Sequence, residues 1–157
     1  MESHDIRELL QSHEFFRDLD PEAMALIAGC GLNVHFDTDE YLFREGEPAD
    51  HFFVLRSGRV ALETHGPDRG PLVLDTAREG EIVGVSWLFP PYRWEFDAQA
   101  MEPVRAVSLD AVCLRAKCDQ DPRLGYELMK RLAEVLRRRM QSARMRLLDL
   151  YGAARAG

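Results

Sequence analysis

The chain opens with apolar residues at helical spacing. In "SHDIRELLQSHEFF", Ile6, Leu9 and Leu10 fall on one face, and Ser3 stands as N-cap of the helix they predict. "DLDPEAMALIAGCG" predicts a second helix: Asp20 caps it, Pro21 takes its first position, and Gly29 or Gly31 ends it. The period then falls from 3.6 to 2. "LNVHF", "EYLFREG", "HFFVLRSG", "RVALETHG", "PLVLDTAREG" and "EIVGV" are short β-like runs separated by turn residues. Their spacing of about 8 to 12 residues is that of an all-β sandwich or barrel. After an aromatic-rich knot, "EFDAQAME" and "VRAVSL" add two alternating runs split near Pro103.

From Asp110 the helical period returns. "LDAVCLRAKCDQ" predicts a short helix, and Asp121–Pro122 start a long one that runs to about Leu150. Along it Met129, Leu132, Leu136, Met140, Ala143, Leu147 and Leu150 recur at spacings of 3 and 4, a coiled-coil-like seam with a stutter at Leu136–Met140. A helix of about 28 residues is roughly 42 Å long, more than a domain of this size covers. The seam is therefore expected to make a homodimer across a two-fold axis; the alternative is a helix lying along its own barrel. Helices (1–30), strands (31–109) and helices (110–151) predict one α+β domain over 1–157, without repeat or linker.

Composition adds limits. At 157 residues, 46% apolar and 30% charged, the chain is an ordinary globular one with enough length for a core. A net charge of −7 argues against a nucleic-acid binder overall. The sign is uneven: from Arg123 onward nine Arg or Lys face three acids, so the tail is +6 and the rest −13. Such a tail can meet nucleic acid, an acidic partner or water, and a solvated helix face is the expected reading. Cys30, Cys113 and Cys118 form no CxxC and read as buried or half-buried thiols in a reducing compartment. The start "MESHDIRELL" has no signal-peptide core, and the longest apolar run, "MALIAGCGL", is nine residues against the roughly 20 of a membrane helix. A cytoplasmic protein without membrane association is expected.

His35, His51 and His65 are scattered without HxH or HxxxH, so no metal site is expected. GxSxG, P-loop and paired-carboxylate patterns are missing from the sequence, and no enzyme is expected. The distinctive stretch is "GEIVGVSWLFPPYRWEFDAQA", residues 80 to 100. Gly80, Gly84 and "VSWLF" predict a strand turning sharply into one helical turn, whose unpaired N–H groups favour an anion. Glycines also punctuate every β-barrel, so this signal is unspecific alone. Trp87, Phe89, Tyr92, Trp94 and Phe96 crowd the same stretch, Pro90-Pro91 stiffens it, and the alternation of "WEFDA" puts Trp94 and Phe96 on one face.

The wider order sharpens the reading. "REGEPADHFFVLRSGRVAL" sets Gly46 and Gly58 twelve apart around a hydrophobic strand, Gly80-Glu81 opens the cassette, and a long helix closes the chain. Over residues 15 to 150 this order resembles the cyclic nucleotide-binding domain of the catabolite activator protein (Crp/Fnr-like) family. The resemblance implies a β-roll (a double-stranded, jelly-roll-like β-helix) with N-terminal helices and a long C-terminal helix. It also implies a cassette whose short helix offers amides to a cyclic phosphate, and a long helix that lids the base and forms the dimer. The ligand-side positions it carries over are Gly84, Val85, Ser86, Trp87, Arg93, Trp94 and Glu95, and the lid positions are Arg139 and Met140.

Two departures stand out. The family's glutamate after the cassette glycine, which accepts from the ribose hydroxyl, is here Val85. Counted back from "AQA", the phosphate arginine's place is Trp94, with Arg93 one residue before it and Glu95 where a small polar residue belongs. A buried charge pair to phosphate is worth about 2–5 kcal/mol, and the ribose bond about 1–3 kcal/mol. Together they amount to on the order of two to five decades of affinity. Three occupants of the cassette follow: a self-filling aromatic plug, which is favoured; another planar, acidic ligand held by Arg93 or the helix-start amides; or a residual cyclic nucleotide with Arg93 swung in. In many family members a DNA-reading helix-turn-helix follows the long helix. Here the chain ends at "LDLYGAARAG", so no sequence-specific DNA binding is expected. The expected function is a non-enzymatic regulatory or interaction module with a degenerate or repurposed pocket, no cofactor and an unnamed protein partner. The alternative is a sensor of cAMP, cGMP or another small anion that signals through the dimer helix.

Overall fold

The computed structural model describes residues 2–68 and 70–156, and the side chains of 6–68 and 70–152. Helix α1 (Glu2–Gln11) buries Ile6 and Leu10; the Ser3 cap concerns a side chain outside the described ones. Helix α2 (Pro21–Ala28) starts as its sequence demands, with Asp20 Oδ1 accepting from Ala23 N at 2.8 Å and Gly29 as C-cap. Gly31 instead begins β1, paired with Leu109 of the last strand, and a Cβ there would stand 2.8 Å from Ile6 Cγ2 of α1. A 3-10 turn, Glu14–Phe16, joins the two helices and buries both phenylalanines.

Eight strands follow: β1 (Gly31–Phe36), β2 (Tyr41–Phe43), β3 (His51–Ser57), β4 (Val60–His65), β5 (Pro71–Ala77), β6 (Ile82–Val83), β7 (Asp97–Ala100) and β8 (Val104–Asp110). They form two four-stranded antiparallel sheets, β1-β8-β3-β6 and β2-β7-β4-β5. The inward sides of both sheets share one core. Phe53, Leu55 and Ala106 come from the first sheet, and Val60, Leu62, Ala98 and Ala100 from the second, while Val54 and Val107 face the helices on the other side. Phe43 and Phe53 stack across the gap with centroids 6.4 Å apart. This is the expected α+β β-roll. "EIVGV" contributes only two strand residues, since Gly84 takes φ +94° and leaves the sheet.

Helix α3 (Ala111–Gln120) is capped by Asp110, and α4 (Pro122–Ala156) runs 35 residues, about 52 Å at 1.5 Å per residue. Two of the expected thiols are not thiols. Cys30, just before β1, and Cys113, in the first turn of α3, form a disulfide with Cα atoms 5.9 Å apart. Eighty-three residues separate them in sequence, but the β1–β8 pairing (Gly31 opposite Leu109) and the Asp110 N to Cys30 O bond of 2.8 Å bring them together. Cys118 is free. Among the described residues no helix is long and apolar enough to cross a membrane.

Candidate functional site

The cassette begins where β6 pairs with the middle of β3 (Ile82 opposite Val54, Val83 opposite Phe53). Gly84 turns the chain, and Val85 caps a 3-10 turn over Ser86–Leu88 without a side-chain hydrogen bond. Inside that turn Leu88 N donates to Val85 O (3.1 Å) and Phe89 N to Ser86 O (3.3 Å). Val85 and Ser86 are half-buried, and Val85 packs on the core. Trp87 does not line a pocket. It is 1% exposed and stacks on Phe52 at 4.5 Å and 5°, so it belongs to the core.

Trp94 faces inward. It is 4% exposed and stacks face to face on Phe43, 3.7 Å between centroids and 8° between planes. The far edge of its ring occupies the space that a Cβ on Gly84 would take. Its backbone is pinned on both sides, with Trp94 N donating to Glu47 O (3.0 Å) and Gly46 N to Trp94 O (2.8 Å). The alternation of an extended segment then dictates its neighbours: Arg93 and Glu95 are exposed, and Phe96 joins Trp94 beside Phe43 at 5.7 Å. Arg93, the candidate substitute for the phosphate arginine, is turned to the surface, where its Nη1 donates to Gly46 O at 2.8 Å.

Two arginines hold the cassette to the helices. Arg139 Nη2 donates to Ile82 O at 2.6 Å, and burial pushes its guanidinium below the ordinary arginine value against the opposing pull of Asp75 and Glu81. Met140, its partner in the expected lid, is 73% exposed and turns away. Arg115, on α3, donates from Nη1 to Trp87 O at 2.5 Å and lies 4.1 Å over the Tyr92 ring. No local motif marks Arg115, because it reads as one polar position on a helix. Asp97, likewise unmarked, is buried at the start of β7. It accepts from Glu45 N (2.7 Å), pairs with His65 Nδ1 (2.8 Å) and lies 3.5 Å from Arg44 Nε. These bonds fix the strand that leaves the cassette.

Between α4 and the β5–β6 turn lies an open cleft of about 520 Å³. Arg138, Arg139, Ser142 and Arg146 form its helix wall, while Arg78, Glu79 and Glu81 stand opposite. Arg146 Nη2 meets Asp75 Oδ1 at 2.9 Å. On the same helix the expected seam divides. Leu132 is 3% exposed and packs inward with Leu124 and Leu128, whereas Met129, Leu136, Met140, Ala143, Leu147 and Leu150 are exposed. The seam as read from spacing crosses onto the core stripe at Leu132, because a 35-residue helix carries two apolar stripes and Leu132 sits where they meet. Arg137 is solvated and pairs with Glu134 at 2.6 Å.

The β-roll, the glycine-turned cassette and the long C-terminal helix agree with comparisons to known proteins. A family model described as "Cyclic nucleotide-binding domain" matches residues 33–121. The "CRP-like cAMP-activated global transcriptional regulator" of Mycobacterium tuberculosis is 30% identical over 131 residues, covering 83% of this chain and 58% of that protein. The "Anaerobic regulatory protein" of Bacillus subtilis is 30% identical over 113 residues, 71% of this chain and 47% of that one. The chain thus spans about half the length of these curated relatives. Among solved structures, a putative cyclic nucleotide-binding protein from Geobacter metallireducens superposes with TM-score 0.76 at 28% identity, covering 89% of this chain and 98% of its own. The sensor domain of the transcriptional regulator DNR from Pseudomonas aeruginosa superposes with TM-score 0.70 at 25% identity, covering 90% and 95%. With more than half of its length matched and the cassette in its expected place, the chain belongs to the cyclic nucleotide-binding domain family.

Proposed function

We propose that this chain is a non-enzymatic regulatory module in which Trp94 takes the place of the ligand, and that it acts through its long helix as a homodimer. One observation carries the reading: the Trp94 ring is buried against Gly84 and stacked on Phe43. Val85 leaves no acceptor for a ribose hydroxyl, and Arg93 is bonded outside the cassette. The regulatory character of the relatives supports the general class. The exposed apolar row from Met129 to Leu150 supports self-association, since α4 offers more apolar surface than its own domain covers.

The test is thermal unfolding with 1 mM cAMP, cGMP or cyclic dinucleotide. No stabilisation is expected. A site with a dissociation constant near 10 µM would add about 2.7 kcal/mol, a rise in Tm of roughly 5–10 °C, and that rise would overturn the reading. A second reading, a sensor for another small anion, draws support from the arginine-lined cleft beside α4. Native mass spectrometry of the purified protein tests it: a co-purified small molecule favours the sensor, and a bare dimer favours the plug.

A further inference from the structure

Helix α3 is a junction between three parts of the molecule. Arg115 grips the cassette through Trp87 O and the Tyr92 ring. Lys117 Nζ donates to Leu26 O of α2 at 2.7 Å, and Cys113 is bonded to Cys30 just beyond α2. At its far end α3 passes through Asp121 directly into α4. Two of these ties are non-covalent polar contacts, each worth on the order of 1–3 kcal/mol. The third is covalent, and thiol chemistry makes or breaks it. The two cysteines differ in exposure: Cys30 is buried in the core, whereas Cys113 is half-buried on the first turn of α3. An attacking thiolate therefore reaches Cys113.

We propose that Cys30–Cys113 is a redox modification site, opened by a dithiol, whose opening loosens α3 and with it the cassette and the start of α4. In the first step the dithiol's thiolate bonds to Cys113 Sγ, and the S–S bond breaks to release Cys30 as a thiolate that takes up a proton. The reductant's second thiol then attacks its own sulfur in this mixed disulfide. Cys113 leaves as a thiolate, is protonated, and the reductant departs as a cyclic disulfide. Two electrons and two protons pass to the protein, and a disulfide oxidant reverses both steps. Cys118 is not part of this disulfide, and burial, with Asp119 and Asp121 nearby, pushes its thiol up, which lowers its thiolate fraction. The proposal is independent of whether Trp94 excludes a ligand.

The experiment uses the full chain, purified without reductant. Iodoacetamide under denaturing conditions should add one group per chain before treatment with dithiothreitol and three after it, matching one free cysteine and one disulfide. Amide exchange over residues 86–94 and 111–121 should be about tenfold faster in the reduced protein. Cys113→Ser should show the fast pattern without reductant, and Cys118→Ser should leave the difference intact. Three groups added before reduction would overturn the proposal, because no disulfide would have formed. Equal exchange in the cassette before and after reduction would also overturn it, reducing the bond to a passive staple. If Cys113→Ser fails to fold, the comparison of oxidised with reduced wild-type protein decides alone.

Discussion

The ring of Trp94 lies over Gly84, in the space that any side chain at position 84 would need. The two positions depend on each other. Glycine is required both by φ +94° and by the indole, and the indole sits flat on Phe43 because no Cβ holds it off. Gly84→Ala should therefore cost about 2–5 kcal/mol, adding overpacking against the ring to backbone strain. Trp94→Ala should cost about 3–5 kcal/mol through the cavity it leaves. In the double variant the clash vanishes, so the two costs should add to about 1–3 kcal/mol less than their sum. Urea unfolding of the four proteins measures this, and strict additivity would mean the ring does not rest on Gly84.

The divided surface of α4 gives a second contrast. Leu136→Asp, on the exposed row, should turn dimers into monomers by light scattering and remove the dependence of Tm on protein concentration. Leu132→Ala lies three to four residues from the seam positions but faces the core. It should leave the mass unchanged and cost about 2–5 kcal/mol. If Leu132→Ala dissociates the protein and Leu136→Asp does not, the interface lies on the other face of the helix.

Local pattern accounts for much of this structure. The eight alternating runs become eight strands, and Asp20 and Asp110 cap the helices they precede. Alternation in "WEFDA" sends Trp94 and Phe96 the same way, whereas the outward direction of Arg93, kept in the sequence as a ligand-side candidate, emerges only in the fold. Contacts that depend on register between distant segments are another matter. Arg115 meets Trp87 across 28 residues, Arg139 meets Ile82 across 57, and Cys30 meets Cys113 across 83. Each such pair is set by which strands neighbour one another, and nothing in the spacing of residues encodes that. Leu132 was misread for a related reason. Heptad spacing selects a stripe, and only the packed domain decides which of two stripes is covered.

The Arg115 clamp makes a third prediction. Arg115→Met keeps most of the stem but removes the donor to Trp87 O and the cation over Tyr92. The loss should be about 1–2 kcal/mol, at the lower end for a charged hydrogen bond because the guanidinium is half-exposed. Its signature is local: faster amide exchange at 86–92, with the strands of the roll unchanged. Uniform acceleration throughout the chain would show general destabilisation and no clamp.

The last prediction concerns pH. His13 is buried under the 3-10 turn with Nδ1 accepting from Phe15 N at 3.2 Å. Nε2 lies 3.1 Å from Leu55 O, and that carbonyl can only accept, so Nε2 carries the proton and the ring is neutral. Desolvation lowers its pKa below 6.5, outweighing the carbonyl of Leu55 and the carboxylates of Glu14 and Glu79, which pull it up. Below pH 6.5 the unfolded chain takes a proton on this residue that the folded chain refuses, so stability is full above pH 6.5 and falls as pH drops toward the depressed folded value. Each pH unit within that window should remove up to about 1.4 kcal/mol. His13→Gln puts an amide in place of the ring and cannot titrate. It should be less stable at neutral pH but lose less between pH 6.5 and 5 than the wild type does. Chemical unfolding across that range checks the slope, and parallel curves for the two proteins would assign the acid sensitivity to other groups.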